Sequence, residues 1–310
     1  MRVVYFGSGE FGLPTLEGLA AAGHDLAAVV TQPDRVAGRG CKVRPTPIKE
    51  AAERLGLKIL QPETPNTPEF AETLRELSVD LAVIVAYGHL IKSPLLGIPG
   101  RGFINLHASL LPAYRGAAPV PRAILSGETV SGATVFCLDE RFDTGGILGT
   151  VDVAIDPEDT AGSYLQKLAP HGAELVLRIA PEYAAGRIAP QRQDDSKASR
   201  APKFHKEDGH IDWREPFASI KNRIRALQPW PLACADLPTA KGNVRVNVLH
   251  IEPSPLTVVN QEPGAILAAD PASGLVIMTG DVPARLDLFQ PQGKKPMSDI
   301  TFLRGTRILT

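Results

Sequence analysis

The sequence predicts an α/β protein: a Rossmann-like, mostly parallel sheet with helices on both faces, followed by a small OB-like β-barrel. Three features carry that prediction. Short apolar runs alternate with helix-length stretches through residues 3–183, the order expected of βαβ units. Composition then turns polar across 189–209, where Gln191, Arg192, Gln193, Asp194, Asp195, Ser196, Lys197, Ser199 and Arg200 crowd together. Beyond it, strand-like runs separated by turns dominate. A chain of 310 residues has room for two domains, and the expected division is 1–188 and 210–310, with 189–209 as the linker.

Taken in order, Val3–Phe6 reads as a strand and Glu10–Ala22 as a helix with Leu16, Leu19 and Ala20 inward and Gly23 as its stop. Leu26–Thr31 is a second strand. Thr46–Leu55 is a helix with Pro47 near its start, Leu57–Leu60 a short strand and Pro68–Leu77 a helix. Leu81–Ala86 and Phe103–Leu106 are apolar enough to be buried strands. A helix follows at Ala118–Leu125, then strands at Ala133–Leu138 and Val151–Ile155. Asp159 and Thr160 cap a long helix toward Tyr183, with kinks expected at Pro170 and Pro181. After the polar stretch, Pro216–Gln228 forms a helix with Phe217, Ile220, Ile224 and Leu227 on one face. The barrel strands are Leu232–Leu237, Val244–Ile251, Ala265–Ala269, Leu275–Thr279 and Arg285–Phe289.

The chain is 44% hydrophobic and 22% charged, enough apolar material for a sizeable core. Its net charge of −1 excludes a polycation, so a nucleic-acid partner would need a local basic patch. Cys41, Cys137 and Cys234 form no CxxC pair, which argues against a zinc site or a disulfide framework and fits a reducing cytosol. The seven histidines are scattered, so no metal is expected. The first apolar run is too short for a signal peptide, and Leu81–Ala86 falls far below the ~18 residues that span a bilayer. A cytoplasmic monomer with no membrane partner is expected.

The chemistry concentrates at Gly102–Gly116. Side chains alternate along a strand, so Asn105 and His107 share a face opposite Ile104 and Leu106. An amide and an imidazole are delivered together where a strand ends, the usual place for ligands in open α/β sheets. Asp143 follows in a second polar loop, Asp139–Gly146. Such groups suit acyl transfer: amide and imidazole N–H groups can stabilise an oxyanion, and a carboxylate can hold the imidazole as its cation. The proton acceptor for an attacking amine, Asp143 or water, stays open. Gly7-Ser8-Gly9-Glu10-Phe11-Gly12 fits GxGxxG between strand and helix, a dinucleotide fingerprint. That fingerprint calls for an acid closing the second strand, where this chain has Thr31-Gln32-Pro33, with Asp34 only after the proline. The glycines can equally serve a tight turn.

Asn105-Leu106-His107-Ala108-Ser109-Leu110-Leu111-Pro112 with Asp143-Thr144-Gly145 resembles the folate-dependent formyltransferases, and the likeness runs along essentially the whole chain. The resemblance implies 10-formyltetrahydrofolate as co-substrate and Asn105, His107 and Asp143 as catalytic residues. It also implies that Ser109, Leu110, Leu111 and Pro112 bind the folate and that Val85, Ala86, Tyr87 and Gly88 wall the pterin pocket. Within the family, the likeness is to members that formylate initiator methionyl-tRNA. It then assigns Arg35, Arg39, Lys42 and Arg44, in the acid-free stretch Arg35–Lys49, to a flexible loop gripping the tRNA acceptor end. Two departures stand out: Cys41 replaces a usual basic residue, and Gly146 replaces a common Asp.

The C-terminal segments Ile211-Asp212-Trp213, Gln228-Pro229-Trp230-Pro231 and Gly293-Lys294-Lys295-Pro296-Met297 also resemble the tRNA-directed members. From Lys203 onward there are 13 Lys and Arg against 11 Asp and Glu, so RNA binding must rest on a patch. Lys221 and Arg225 share a helix face, and Arg214, Lys294 and Lys295 can join them. The rival readings are a formyltransferase for a small amine, an NAD-dependent oxidoreductase using Gly7–Gly12, and a non-catalytic RNA-binding protein.

Overall fold

In a computed structural model, residues 1–37 and 42–309 are described, Ala37 and Lys42 by their backbone alone. The chain divides into two compact units. The first comprises Met1–Pro119, Val130–Ala154 and Leu165–Ala201; the second comprises Val120–Thr129, Ile155–Tyr164 and Pro202–Thr310.

The first unit is built on a seven-stranded sheet, with a separate two-stranded pair. In chain order its elements are β1 (Arg2–Gly7), α1 (Leu13–Ala21), β2 (Asp25–Val30), β3 (Arg35–Ala37), β4 (Lys42–Arg44), α2 (Pro47–Arg54), β5 (Ile59–Leu60), α3 (Pro68–Glu76), β6 (Leu81–Val85) and β7 (Phe103–His107). A helix α4 (Pro119–Leu125) precedes β8 (Val130–Cys137) and β9 (Ile147–Ala154), and α5 (Ala161–Ala184) follows. The sheet order is β5-β2-β1-β6-β7-β8-β9. The first five of these strands run parallel, whereas β8 is antiparallel to β7 and β9 to β8.

Alternation along the strands decides which helix covers which face. Val4 and Phe6 of β1, Ala28 and Val30 of β2, and Ala82 and Ile84 of β6 join Phe70, Ala71 and Leu74 of α3 in one buried cluster. Tyr5 points the other way, toward the start of α1, where its hydroxyl donates to the Gly12 carbonyl at 2.8 Å. On that side α5 lies close to β7: a Cβ on Gly172 would sit 2.8 Å from Leu106. The side-chain caps are those expected of Thr-Pro starts. Thr46 accepts the Lys49 N–H at 3.1 Å, and Thr67 accepts the Phe70 N–H at 3.2 Å, each with proline opening the helix.

Pro170 and Pro181, where kinks are expected, both lie inside a continuous α5. Two local expectations differ. The helix expected from Glu10 begins as a 3₁₀ turn, Glu10–Gly12, before α1. The basic stretch expected as a flexible loop carries the antiparallel pair β3 and β4, with Arg35 opposite Arg44 and Val36 opposite Val43. Cross-strand pairing of β-branched valines favours that hairpin. Arg39 and Cys41 lie outside the described residues.

The second unit holds α6 (Phe217–Ala226), β10 (Ala233–Thr239), β11 (Gly242–Pro253), β12 (Ile266–Asp270), β13 (Gly274–Met278), β14 (Pro283–Pro291), β15 (Met297–Ser298) and α7 (Asp299–Leu303). Its antiparallel sheet, ordered β10-β11-β14-β13-β12 with β15 on β14, curls into a half-barrel. The last two elements were not predicted. They matter because Asp299, 1% exposed, gathers the Arg285 guanidinium at 2.8 Å, the Leu275 N–H at 3.1 Å and the Ile300 N–H at 2.7 Å. Burial alone would raise its pKa, but the bond from Arg285 and these backbone donors hold the carboxyl below its usual range. Gly274, at φ +80°, leaves room for the pair: a Cβ there would stand 2.7 Å from Arg285 Nε.

Asp299→Ala should lower the unfolding free energy by about 3 kcal/mol, since it removes the buried, hydrogen-bonded partner of Arg285 and leaves that guanidinium only the exposed Glu252 at 3.5 Å. Because the folded pKa is depressed, the stabilisation is complete above the ordinary carboxylate range and is lost as pH falls from there through the lower folded pKa. Denaturant titration of wild type and variant at neutral and acid pH reads both; the gap between them should narrow in acid.

Candidate active site

Asn105 and His107 lie on β7, the last parallel strand, with Asn105 flanked by Ile84 on β6 and Phe136 on β8. The strand is buried except at Asn105, which is half-exposed. Its carboxamide makes no hydrogen bond among the described residues, so its donors are available. His107 is 7% exposed and meets Phe136 edge-on, with centroids 6.4 Å apart. Its Nε2 lies 3.0 Å from the Tyr114 carbonyl oxygen. A carbonyl only accepts, so Nε2 carries the proton in that bond. Nδ1 faces Asp143 Oδ2 at 3.8 Å. Both ring nitrogens thus face oxygen acceptors.

The sequence suggested that Asp143 holds the imidazole. In the structure the Tyr114 carbonyl is the hydrogen-bonded anchor, and the carboxylate stands off. The reason is local: Asp143 Oδ2 already accepts the Gly116 N–H at 2.8 Å. Asp143 has left-handed backbone, φ +54°, a region that Asp enters more readily than most residues. Gln193 was read only as part of a polar linker. It is 5% exposed, and its carboxamide donates to the Asp143 carbonyl at 2.9 Å and to the Gly145 carbonyl at 2.7 Å. Its oxygen accepts from Arg115 Nε at 3.0 Å and Nη2 at 2.8 Å, and Arg115 also pairs with Asp195 at 2.8 Å. No periodicity or spacing signals such a residue.

The Ser109–Pro112 segment is pinned to β8. Ser109 Oγ donates to the Ala113 carbonyl at 2.7 Å, Thr134 Oγ1 donates to the Ser109 carbonyl at 2.7 Å, and the Leu111 N–H donates to Thr134 Oγ1 at 3.0 Å. Ser109 and Leu111 are buried, while Leu110 and Pro112 remain half-exposed. At the end of β6, Val85 and Tyr87 are buried, and Ala86 and Gly88 are exposed. The Ala86 carbonyl accepts the N–H groups of Ser8 and Gly9, and the Tyr87 carbonyl accepts Gln32 Nε2 at 2.9 Å. That turn is therefore a fixed shelf.

The Gly7–Gly12 turn has its own structural use. A Cβ on Gly7 would lie 2.7 Å from the Tyr5 ring, and one on Gly12 would overlap its hydroxyl. The glycines thus make room for a buried tyrosine. Asp34, the first acid after the second strand, bonds Lys49 at 2.6 Å and Gln61 at 2.8 Å, with Lys49 foremost in holding its carboxyl below the usual range. Cys137 lies near the Asp143 loop, but burial pushes its thiol up, against a thiolate nucleophile. Among the described residues, no cluster of three or more His, Cys, Asp or Glu is placed to hold a metal. No helix there is long and apolar enough to cross a membrane.

The basic residues divide. Arg35 and Arg44 are exposed on β3 and β4, with Arg35 3.9 Å from Glu63. The side chain of Lys42 lies outside the described residues. In the second unit, Lys221 is paired with Glu158. Arg225 is spent on the Asp156 and Asp159 carbonyls at 3.2 and 2.9 Å and on Asn222 at 2.7 Å. Lys294 and Lys295 are exposed and form no ion pair among the described residues.

Residues 1–179 match the formyl transferase family, and residues 203–307 match the formyl transferase C-terminal domain. The chain is 41% identical to the methionyl-tRNA formyltransferase of Solibacter usitatus, across 99% of this chain and 96% of that one. It is 40% identical to the methionyl-tRNA formyltransferase of Halothermothrix orenii, across 99% and 98%. Among solved structures, an N-formyltransferase from Helicobacter canadensis, in complex with folinic acid and dTDP-3-aminofucose, has the same fold. Its TM-score is 0.66 at 18% identity, over 94% of this chain and 99% of that one. HypX from Aquifex aeolicus, in complex with tetrahydrofolic acid, gives 0.62 at 16% identity over 98% of this chain, which spans only 47% of HypX. The chain belongs to the formyl transferase family.

Proposed function

We propose that the protein transfers the formyl group of 10-formyltetrahydrofolate to the α-amino group of methionyl-tRNA, giving N-formylmethionyl-tRNA for translation initiation in the cytoplasm. One observation carries the chemistry: the imidazole of His107, on the strand that also presents the uncommitted carboxamide of Asn105, has its Nδ1 3.8 Å from a carboxylate oxygen of Asp143 in the loop after β8. Near-full-length identity of about 40% to methionyl-tRNA formyltransferases supports the substrate.

Magnitudes assign the labour. A reference α-amino group has a pKa of ~7.7–8.0, so roughly a tenth is free base at neutral pH and forming the nucleophile costs about 1 kcal/mol. One oxyanion donor is worth ~2.7–4 kcal/mol. The site therefore works chiefly on the formyl oxygen. As the amine nitrogen bonds to the formyl carbon, Asn105 and His107 Nδ1–H donate to the oxyanion. Asp143 takes the amine proton. The bond to N10 then breaks, His107 returns a proton to N10, and transfer across the Asp143–His107 gap resets the pair. The half-exposed Leu110 and Pro112 and the Ala86–Gly88 shelf offer apolar surface and fixed backbone for the pterin.

RNA contacts in this reading come from Arg35 and Arg44 on the hairpin and from Lys294 and Lys295. Lys221 and Arg225, the helix pair of the same reading, would have to leave Glu158 and the Asp156 and Asp159 carbonyls to reach RNA. The domain reading stands as a proposal too: 1–188 catalyses and 210–310 supplies RNA affinity.

Asn105→Ala and His107→Ala should each cut formylation on the order of a hundred-fold while the melting temperature stays within a few degrees. Steady-state assay with 10-formyltetrahydrofolate and methionyl-tRNA reads this; near-normal turnover in a folded His107→Ala variant would remove the mechanism. Formylation of a small amine but not of methionyl-tRNA would remove the substrate.

Replacing Lys294 and Lys295 together with Ala should weaken tRNA binding and flatten the plot of log affinity against log salt by about 2, one per phosphate contact. Folate-analogue binding should not change. An unaltered salt slope would take these lysines out of the RNA surface.

A further inference from the structure

We infer that Gln193 is a positioning residue for the reaction: it sets where the Asp143 carboxylate stands and acts only through it. The inference rests on the reading of Asp143 as the partner of His107.

The need for such a residue follows from strand direction. Because β8 runs antiparallel to β7, its last residue, Cys137, pairs with Ile104 and not with His107. The chain leaving β8 therefore starts three residues, about 10 Å, short of the imidazole. Residues 138–142 must double back along β7 to bring Asp143 to His107. Asp143 makes that return in left-handed backbone, a conformation that persists only where the surroundings hold it.

Gln193 supplies the hold. Its two N–H groups go to the carbonyls of Asp143 and Gly145, and its oxygen takes two bonds from Arg115. All four of its hydrogen-bonding positions are used in a buried setting, which fixes the amide's orientation. The same stretch reaches His107. Tyr114 offers its carbonyl to the imidazole, Arg115 grips Gln193, and the Gly116 N–H binds the Asp143 carboxylate. Three consecutive residues thus tie imidazole, amide and carboxylate together. Residues 199–201 brace them, through Tyr114 N–H to Ser199 Oγ at 2.8 Å and Ala201 N–H to the Arg115 carbonyl at 2.7 Å. Glutamate at 193 would keep the acceptor for Arg115 and lose both donors. Methionine would lose everything but volume.

The test is a double-mutant cycle on the full chain, with Gln193→Met, Asp143→Asn and the pair, read by formylation of methionyl-tRNA. Gln193→Met should lower kcat by ~10–100-fold, as a shift near 1 Å can, with the KM values for tRNA and folate within about two-fold. The double variant should be no slower than Asp143→Asn, and the pH–rate profile of Gln193→Met should shift in the direction seen for Asp143→Asn. If Gln193→Met fails to fold, the same readings on the isosteric Gln193→Glu decide. Multiplicative losses in the double variant, or an unchanged kcat in a Gln193 variant, would overturn the inference while leaving Asp143 in place. A fully active Asp143→Asn would overturn it together with the reading of the site.

Discussion

The direction of one strand governs the site. The sheet is parallel as far as β7 and reverses at β8, so the imidazole and the carboxylate leave the sheet at different levels. The reversal makes the pair depend on hydrogen bonds drawn from distant parts of the chain. It also leaves Asn105 flanked by buried neighbours with its own donors uncommitted. The site is thus assembled from a rigid strand and a loop whose position must be imposed.

That imposition explains the stand-off between His107 and Asp143. Each group has its own anchor, the Tyr114 carbonyl for one and the Gly116 N–H for the other. Neither anchor competes with the reaction, because each leaves one face of the pair open: Nδ1 on the ring and the remaining lone pairs on the carboxylate. A direct bond at hydrogen-bonding distance would spend Nδ1 on Asp143. At 3.8 Å, Nδ1 is not committed to a hydrogen bond with the carboxylate.

Much of the architecture was legible because it is local. Thr46-Pro47 and Thr67-Pro68 announce helix starts, and the apolar runs at Leu81 and Phe103 announce buried strands. Asn105 and His107 could be paired from alternation alone. Gln193 could not be, since a polar residue in a polar stretch looks the same whether it faces water or closes a loop 50 positions away. The direction of β8 was hidden for a similar reason: an apolar run carries no sign of its sense. Lys221 and Arg225 shared a helix face as spacing required, yet Glu158 and the carbonyls of Asp156 and Asp159 claim them. Charge in a sequence marks a possible contact and not the partner that takes it.

The central claim is that Asp143 and His107 work as a unit in the chemical step. Single-turnover transfer of a labelled formyl group from 10-formyltetrahydrofolate to methionyl-tRNA, by rapid quench with enzyme in excess and both substrates saturating, isolates that step. The account predicts that Asp143→Asn slows it on the order of a hundred-fold or more while a folate analogue binds as tightly as to wild type. An unchanged single-turnover rate in that variant would contradict it.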